Sequence, residues 1–243
     1  MENSAYLALP LFAGLAAGDI PAALAALDAA DPAQLDAAVR RLARTVVSDA
    51  PAAQALPERV DFFALYGVHS PAELRAADRW QAARPWETLS VPIGVAADGL
   101  CALDAHEQAH GPHGLVAGTT GSGKSETLQT YILSLAVAFS PADAAFFLID
   151  YKGGGLAGAF EDKARGIHLP HLVGTITNLD GAAISRSMIS IESELKRRQR
   201  IFNEAKSHCN EGTLDIYDYQ RLYRAHRVEE PLPHLFIISD EFA

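Results

Sequence analysis

Cysteine is scarce in this chain, with only Cys101 and Cys209 among 243 residues. Two thiols do not make a disulfide framework or a cysteine-rich metal cluster, so a small domain held together by either is not expected. Such sparing use of cysteine fits a reducing compartment. The stability of the fold then has to come from an apolar core. The chain length and the 49% of hydrophobic residues are sufficient to form such a core in one or two domains.

Positive charge is scarce as well. The 20 Lys and Arg residues stand against 30 Asp and Glu residues, which gives a formal net charge of −10. A broadly basic protein that coats nucleic acid is therefore not expected.

A long hydrophobic run is also missing. The best candidate, residues 4–18, is interrupted by Pro10 and falls short of the ~20 apolar residues that a helix needs to cross a bilayer. It is a poor signal peptide too, because Glu2 makes the start acidic and the first basic residue is Arg40. We therefore expect no transmembrane segment in this chain.

The composition divides the chain into three regions. Residues 1–56 are rich in alanine, and apolar residues at helical spacing from Leu35 to Val46 predict a small α-helical segment. Residues 57–110 are predicted to form a linker and a β-hairpin that lead into the next region. Residues 111–243 contain the motifs that carry chemistry and are predicted to form one catalytic domain.

The third region alternates strand and helix signals. Short apolar runs predict strands, and longer stretches predict helices. The predicted strands are residues 114–117, 144–149, 172–177 and 235–239, and the predicted helices are residues 125–139 and 180–205. This alternation indicates an α/β fold with a mostly parallel sheet.

The strongest motif is GTTGSGKS, between the first predicted strand and the first predicted helix of this region. Glycines let backbone N–H groups approach an anion, and the following helix directs its positive end at the same place. The motif predicts a phosphate loop (Walker A motif) in which Lys124 reaches the phosphates and Ser125 binds Mg²⁺. The predicted nucleotide-binding residues are Gly118, Thr119, Thr120, Gly121, Ser122, Gly123, Lys124, Ser125 and Glu126.

Two carboxylates follow the last predicted strand, where Asp240 and Glu241 come directly after LFIIS. Ligands of parallel α/β sheets bind at the carboxyl ends of the strands. Asp240 is therefore predicted to hold Mg²⁺, and Glu241 to polarise the attacking water as a general base.

Two weaker signals stay open. The run DYKGGG, residues 150–155, fits a close backbone approach to a nucleotide, a subunit or a translocated chain, and it fits a flexible connection equally well. Arg186 stands near the start of the long predicted helix, from where it could reach a phosphate bound to a neighbouring subunit. A purely structural role is the simpler interpretation of Arg186.

Five segments occur in the order HGLVAGTTGSGKSE, LIDYKGGG, LVGTITNLDG, ELKRRQRIF and PHLFIISDEFA. Together they resemble the FtsK/SpoIIIE class of ring ATPases and, more narrowly, the EssC/EccC ATPases of type VII secretion systems. The resemblance begins near Val60 and runs to the end of the chain. Tyr151 and Glu126 favour the secretion branch, because DNA-pumping relatives usually have proline at the first position and lack an acid at the second.

The resemblance implies a fold, a reaction and partners. The fold would be a RecA-like P-loop core, and the reaction would be Mg²⁺-dependent ATP hydrolysis that drives WXG-type proteins across the cell membrane. The resemblance also implies a homo-oligomeric ring in which Arg186 acts in trans as an arginine finger, while Lys124 and Glu241 serve catalysis. The domain would work in the cytoplasm, at the inner face of the membrane, beside the membrane subunits of a secretion complex.

Two other functions remain open from the sequence. A DNA translocase of the same superfamily would bind DNA without sequence preference and with strong salt dependence. The third alternative is a nucleotide-binding module that binds ATP without turnover. That alternative arises because we expect the ATPase core to be truncated after Ala243, which would leave the isolated chain inactive.

Overall fold

The computed structural model covers most of the second and third regions. It describes residues 57, 59–119, 121–150, 155–162, 164–177, 181–209 and 212–240. The predicted helical segment over residues 1–56 lies outside the described residues, and so the predicted division into three regions stays a prediction.

A three-stranded parallel sheet lies at the centre of the fold. Its strands are β3 (Ala144–Asp150), β6 (Leu172–Ile176) and β7 (His234–Asp240). They lie side by side in the order β6–β3–β7. The central strand β3 has the sequence AAFFLID and is largely buried, as expected of a strand that is covered on both faces. The predicted α/β fold with a parallel sheet is confirmed.

One face of the sheet is covered by helix α3, Lys124–Ala138, which buries Ile132 and Leu135 completely. The ring of Tyr131 on this helix contacts Phe236 of β7, and Phe236 in turn contacts Phe146 of β3. Because strand side chains alternate between faces, every second residue from these two phenylalanines points toward α3. This alternation decides which side chains at the strand ends face the start of α3.

The second region packs on the other side of α3. It contains α1 (Phe62–Tyr66), a 3₁₀ helix (Pro71–Leu74), α2 (Ala76–Ala82) and the antiparallel hairpin of β1 (Ser90–Ala96) and β2 (Gly99–Asp104). The Ser134 hydroxyl of α3 donates to the carbonyl of Pro92 in β1 at 2.7 Å. The indole N–H of Trp80 donates to the carbonyl of Ala136 at 2.9 Å. The predicted hairpin is thus present and anchors α3.

The remaining elements connect the three sheet strands. They are α4 (Gly155–Gly158), the short antiparallel pair of β4 (Glu161–Asp162) and β5 (Ile167–His168), the long helix α5 (Gly181–Cys209) and α6 (Ile216–Arg224). Helix α6 is tied to the start of β3, because Arg224 forms an ion pair with buried Asp143 at 2.7 Å. Among the described residues, no helix is both long and apolar enough to cross a bilayer.

One predicted strand is wrong. Residues 114–117 have no regular secondary structure, and the Leu115 side chain is 90% exposed. A strand needs a neighbour whose backbone pairs with its N–H and C=O groups. Within the described part of the chain no strand pairs with this segment, and β7 pairs only with β3. The apolar sequence of residues 114–117 is therefore not sufficient for a strand to form.

A close contact between β6 and β3 predicts a stability effect. A Cβ atom added at Gly174 would lie 2.7 Å from the ring of Phe147, so the ring has to move when any side chain is introduced. We expect Gly174→Ala to lower the free energy of unfolding by about 1–3 kcal/mol, as overpacked cores do. Urea unfolding measures the change. Gly94→Ala is the matched control, because nothing lies within 4 Å of the added atom there, and equal stability of the two variants would contradict the prediction.

His234, the first residue of β7, predicts acid sensitivity of the fold. Its ring contacts that of Tyr217 in α6 in a tilted arrangement, and its buried Nε2 has no hydrogen-bond partner among the described residues. Burial, with a smaller contribution from the nearby Arg198, lowers the pKa of His234 to about 4. Between about pH 6.5 and pH 4 the unfolded chain therefore binds a proton that the folded chain excludes, so stability falls as the pH falls through this window.

The lost stability amounts to about 3 kcal/mol at pH 4, at 1.36 kcal/mol per pKa unit. His234→Phe keeps a ring against Tyr217 and removes the titrating group, so its free energy of unfolding should fall less between pH 7 and pH 4.5. Urea unfolding of both proteins at these two pH values provides the comparison. The same pH dependence in both would show that His234 is not the sensitive group.

Candidate nucleotide site

Glycines shape the loop that precedes α3. Gly121 and Gly123 have φ angles of +79° and +89°, in the left-handed region that side chains other than glycine disfavour. Gly118 has an ordinary φ but allows a close approach, since a Cβ atom there would collide with the Ser122 hydroxyl. The backbone amide of Ser122 donates to the carbonyl of Thr119 at 3.1 Å. Each glycine of the motif thus has an identifiable geometric role.

The start of α3 leaves backbone donors available for an anion. Gly123 occupies the N-cap position and has no side chain with which to cap the first turn. The first N–H groups of a helix have no partner within it, and the helix dipole adds positive potential there. Lys124 is the first residue of the helix, and its ammonium group adds a full positive charge. The arrangement suits a phosphate group.

An acidic residue from the sheet meets this helix start. The Ser125 hydroxyl donates to Oδ2 of Asp240 at 3.2 Å. Asp240 is the last residue of β7, and it lies on the face of the sheet that α3 covers. A hydroxyl and a carboxylate oxygen are the ligand types that Mg²⁺ prefers, so this donor set fits a magnesium ion.

The structure describes most of the predicted site residues. Gly118, Thr119, Gly121 and Ser122 lie in the exposed loop, Lys124 and Ser125 are half-buried, and Glu126 is exposed in the first turn of α3. The structure therefore brings Ser125 of the loop motif and Asp240 together at one place. Arg186 is exposed in the second turn of α5. Thr120 and Glu241 lie outside the described residues, as do residues 151–154 of the glycine-rich run.

From the sequence, Asp150 was noted only as the start of the DYKGGG run, without a role for its carboxylate. Asp150 ends β3 just as Asp240 ends β7, and the two are direct partners in the parallel pairing of these strands. A signal for this was present, because FFLID and FIISD are both apolar runs that end in aspartate. The pairing register of β3 and β7, which places the two aspartates side by side, cannot be read from the sequence.

Comparison with known proteins agrees with this geometry. Residues 73–243 match the FtsK/SpoIIIE family. The chain belongs to the FtsK/SpoIIIE family. The predicted resemblance is thereby confirmed, and the matched residues include the glycine-rich loop, Asp150 and Asp240.

Individual relatives come from type VII secretion systems. The chain is 50% identical over 191 residues to the type VII secretion system protein EssC of Staphylococcus aureus, which covers 78% of this chain and 12% of EssC. It is 48% identical over 207 residues to the ESX secretion system protein YukB of Bacillus subtilis, covering 84% of this chain and 13% of YukB. The chain thus spans about an eighth of the length of these relatives.

A solved structure shares the fold. The cytoplasmic domain of the type VII secretion ATPase EccC of Thermomonospora curvata superposes with a TM-score of 0.57 at 30% sequence identity. The superposition covers 77% of this chain and 21% of the EccC chain.

The contact between Gly118 and Ser122 yields a prediction about the loop. Gly118→Ala places a methyl group against the Ser122 hydroxyl and close to the Lys124 side chain. We expect this change to weaken nucleotide binding at least tenfold, because one lost charge-assisted hydrogen bond costs roughly 1.5–3 kcal/mol. Adding Ser122→Ala removes the colliding oxygen and should restore part of the affinity. Calorimetric titration with ATP compares the single and double variants, and strictly additive losses would rule out this contact as the cause.

Proposed function

We propose that this chain is an ATP-binding and ATP-hydrolysing motor domain that drives protein export in a type VII secretion system. The observation that carries the proposal is the contact of Ser125 with Asp240. It brings a glycine-rich phosphate loop and a strand-end carboxylate to one point. This combination serves a nucleoside triphosphate with Mg²⁺, whereas a simple anion site needs no carboxylate.

In the proposed complex the loop amides and Lys124 hold the phosphates. Lys124 is the only ammonium group in the loop motif, and it begins the helix whose dipole points at the same place. Ser125 and Asp240 hold Mg²⁺, which would neutralise charge on the β- and γ-phosphates during transfer. Hydrolysis also needs an activated water, and Glu241 follows Asp240 directly in the sequence, so we assign it the role of general base.

We further propose that the domain works in a homo-oligomeric ring. Arg186 is exposed on α5, and as an arginine finger it would stabilise the transition state in a neighbouring subunit. Turnover would then depend on assembly and therefore on protein concentration.

The proposed cargo follows from the relatives. EssC, YukB and EccC are described as secretion system proteins or as a secretion ATPase. We therefore propose that this chain acts on secreted WXG-type proteins, at the cytoplasmic face of the membrane and together with membrane subunits of the secretion complex. The net charge of −10 favours protein over DNA as the translocated polymer.

Two substitutions separate binding from hydrolysis. Lys124→Ala should weaken ATP binding at least tenfold, because it removes charge-assisted contacts to the phosphates. Glu241→Gln should leave the affinity for ATP within about threefold and lower the rate of hydrolysis by roughly 10²–10⁴. Calorimetry with ATP measures the first effect, and phosphate release over a range of protein concentrations measures the second.

Lys206→Ala is the matched control, since this lysine is exposed in the last turn of α5, away from the loop motif in sequence. It should behave like the wild type in both assays. Unchanged ATP affinity in Lys124→Ala would refute the proposed site. Undiminished phosphate release in Glu241→Gln would show that another group activates the water, and absence of release by the wild type at every concentration would leave a binding module without turnover.

A further inference from the structure

The pairing of β3 with β7 places a second carboxylate beside the site. Their register runs without a shift from Ala144 opposite His234 to Asp150 opposite Asp240. Direct partners in parallel strands point to the same face of the sheet, and adjacent strands are about 4.8 Å apart. Asp150 therefore stands on the face that α3 covers, one strand spacing away from Asp240.

Asp150 is also deeply buried, at 2% exposure. Its Oδ2 accepts a hydrogen bond from the backbone N–H of Leu156 at 2.9 Å, in the first turn of α4. Leu156 is itself buried in the core. This hydrogen bond holds α4 against the end of β3.

A negative group near a divalent cation strengthens the binding of that cation, because opposite charges attract. The position of Asp150, one strand spacing from a predicted ligand of Mg²⁺, provides such a use for the charge.

We propose that Asp150 is a positioning residue of the nucleotide site whose negative charge strengthens the binding of Mg²⁺ through Asp240 without contacting the ion. This inference rests on the proposed function, because it requires that the site binds Mg²⁺ with a nucleotide. The interaction of one negative charge with a dication at about 7 Å corresponds to roughly a tenfold change in affinity even at a dielectric constant close to that of water.

Asp150→Asn tests the charge separately from the hydrogen bond. The probe is ATP, titrated into the 243-residue chain by calorimetry, once in EDTA and once in saturating Mg²⁺. The quantity of interest is the ratio of the two dissociation constants, which reports how much Mg²⁺ strengthens nucleotide binding. We expect Asp150→Asn to reduce this ratio about tenfold and to leave the affinity in EDTA equal to or tighter than that of the wild type.

The controls separate charge from structure. Asp98→Asn removes the same charge at the exposed hairpin turn and should keep the wild-type ratio. Asp150→Ser, a second neutral variant, loses the bond to Leu156 as well and should show the same reduced ratio together with a lower melting temperature. If Asp150→Asn does not fold, the ratio of dissociation constants measured for Asp150→Ser tests the proposal instead.

Each outcome has a separate meaning. A wild-type ratio in Asp150→Asn, combined with a lower melting temperature in Asp150→Ser, would overturn the inference and leave Asp150 as a structural residue only. The proposed function would survive that result. If the wild type binds no ATP in either buffer, the proposed function fails and the inference fails with it.

Discussion

The hydrogen bond between Ser125 and Asp240 is the contact on which the functional interpretation of this structure depends. It joins the first turn of a helix to the end of a strand that lies more than a hundred residues later in the chain. The helix start provides donors and positive potential, and the strand end provides a carboxylate. The proposed site for a phosphate and a divalent cation requires that these two ends meet.

The contact is held in place by packing some distance from the site. Helix α3 lies between the β1–β2 hairpin and the sheet. On one side its Ser134 hydroxyl donates to the hairpin, and on the other its Tyr131 ring contacts the sheet. The unshifted register of β3 and β7 then fixes how far each strand reaches toward the start of α3. The position of the two strand-end aspartates is thus a consequence of core packing and backbone pairing.

Much of this arrangement could be predicted from the sequence, because its strongest elements are locally encoded. The run AAFFLID is apolar along almost its whole length, as a strand covered on both faces requires, and Gly121 and Gly123 have the positive φ angles that the loop motif requires. The strand predicted over residues 114–117 is absent, and its absence could not be predicted locally. A strand forms only beside a partner strand, and the presence of a partner is not a property of the segment itself. The placement of Asp150 beside Asp240 escaped prediction for the same reason, as it depends on register between distant segments.

The most direct test of the proposed site is a crystal structure of the chain with ADP and Mg²⁺. We predict that the phosphates lie against the backbone amides of the loop and the start of α3. We predict further that the Ser125 hydroxyl binds the cation at about 2.0–2.1 Å and that the Asp240 carboxylate contacts the cation or a water bound to it. A nucleotide bound elsewhere, or a cation with Asp240 turned away from it, would contradict the central claim.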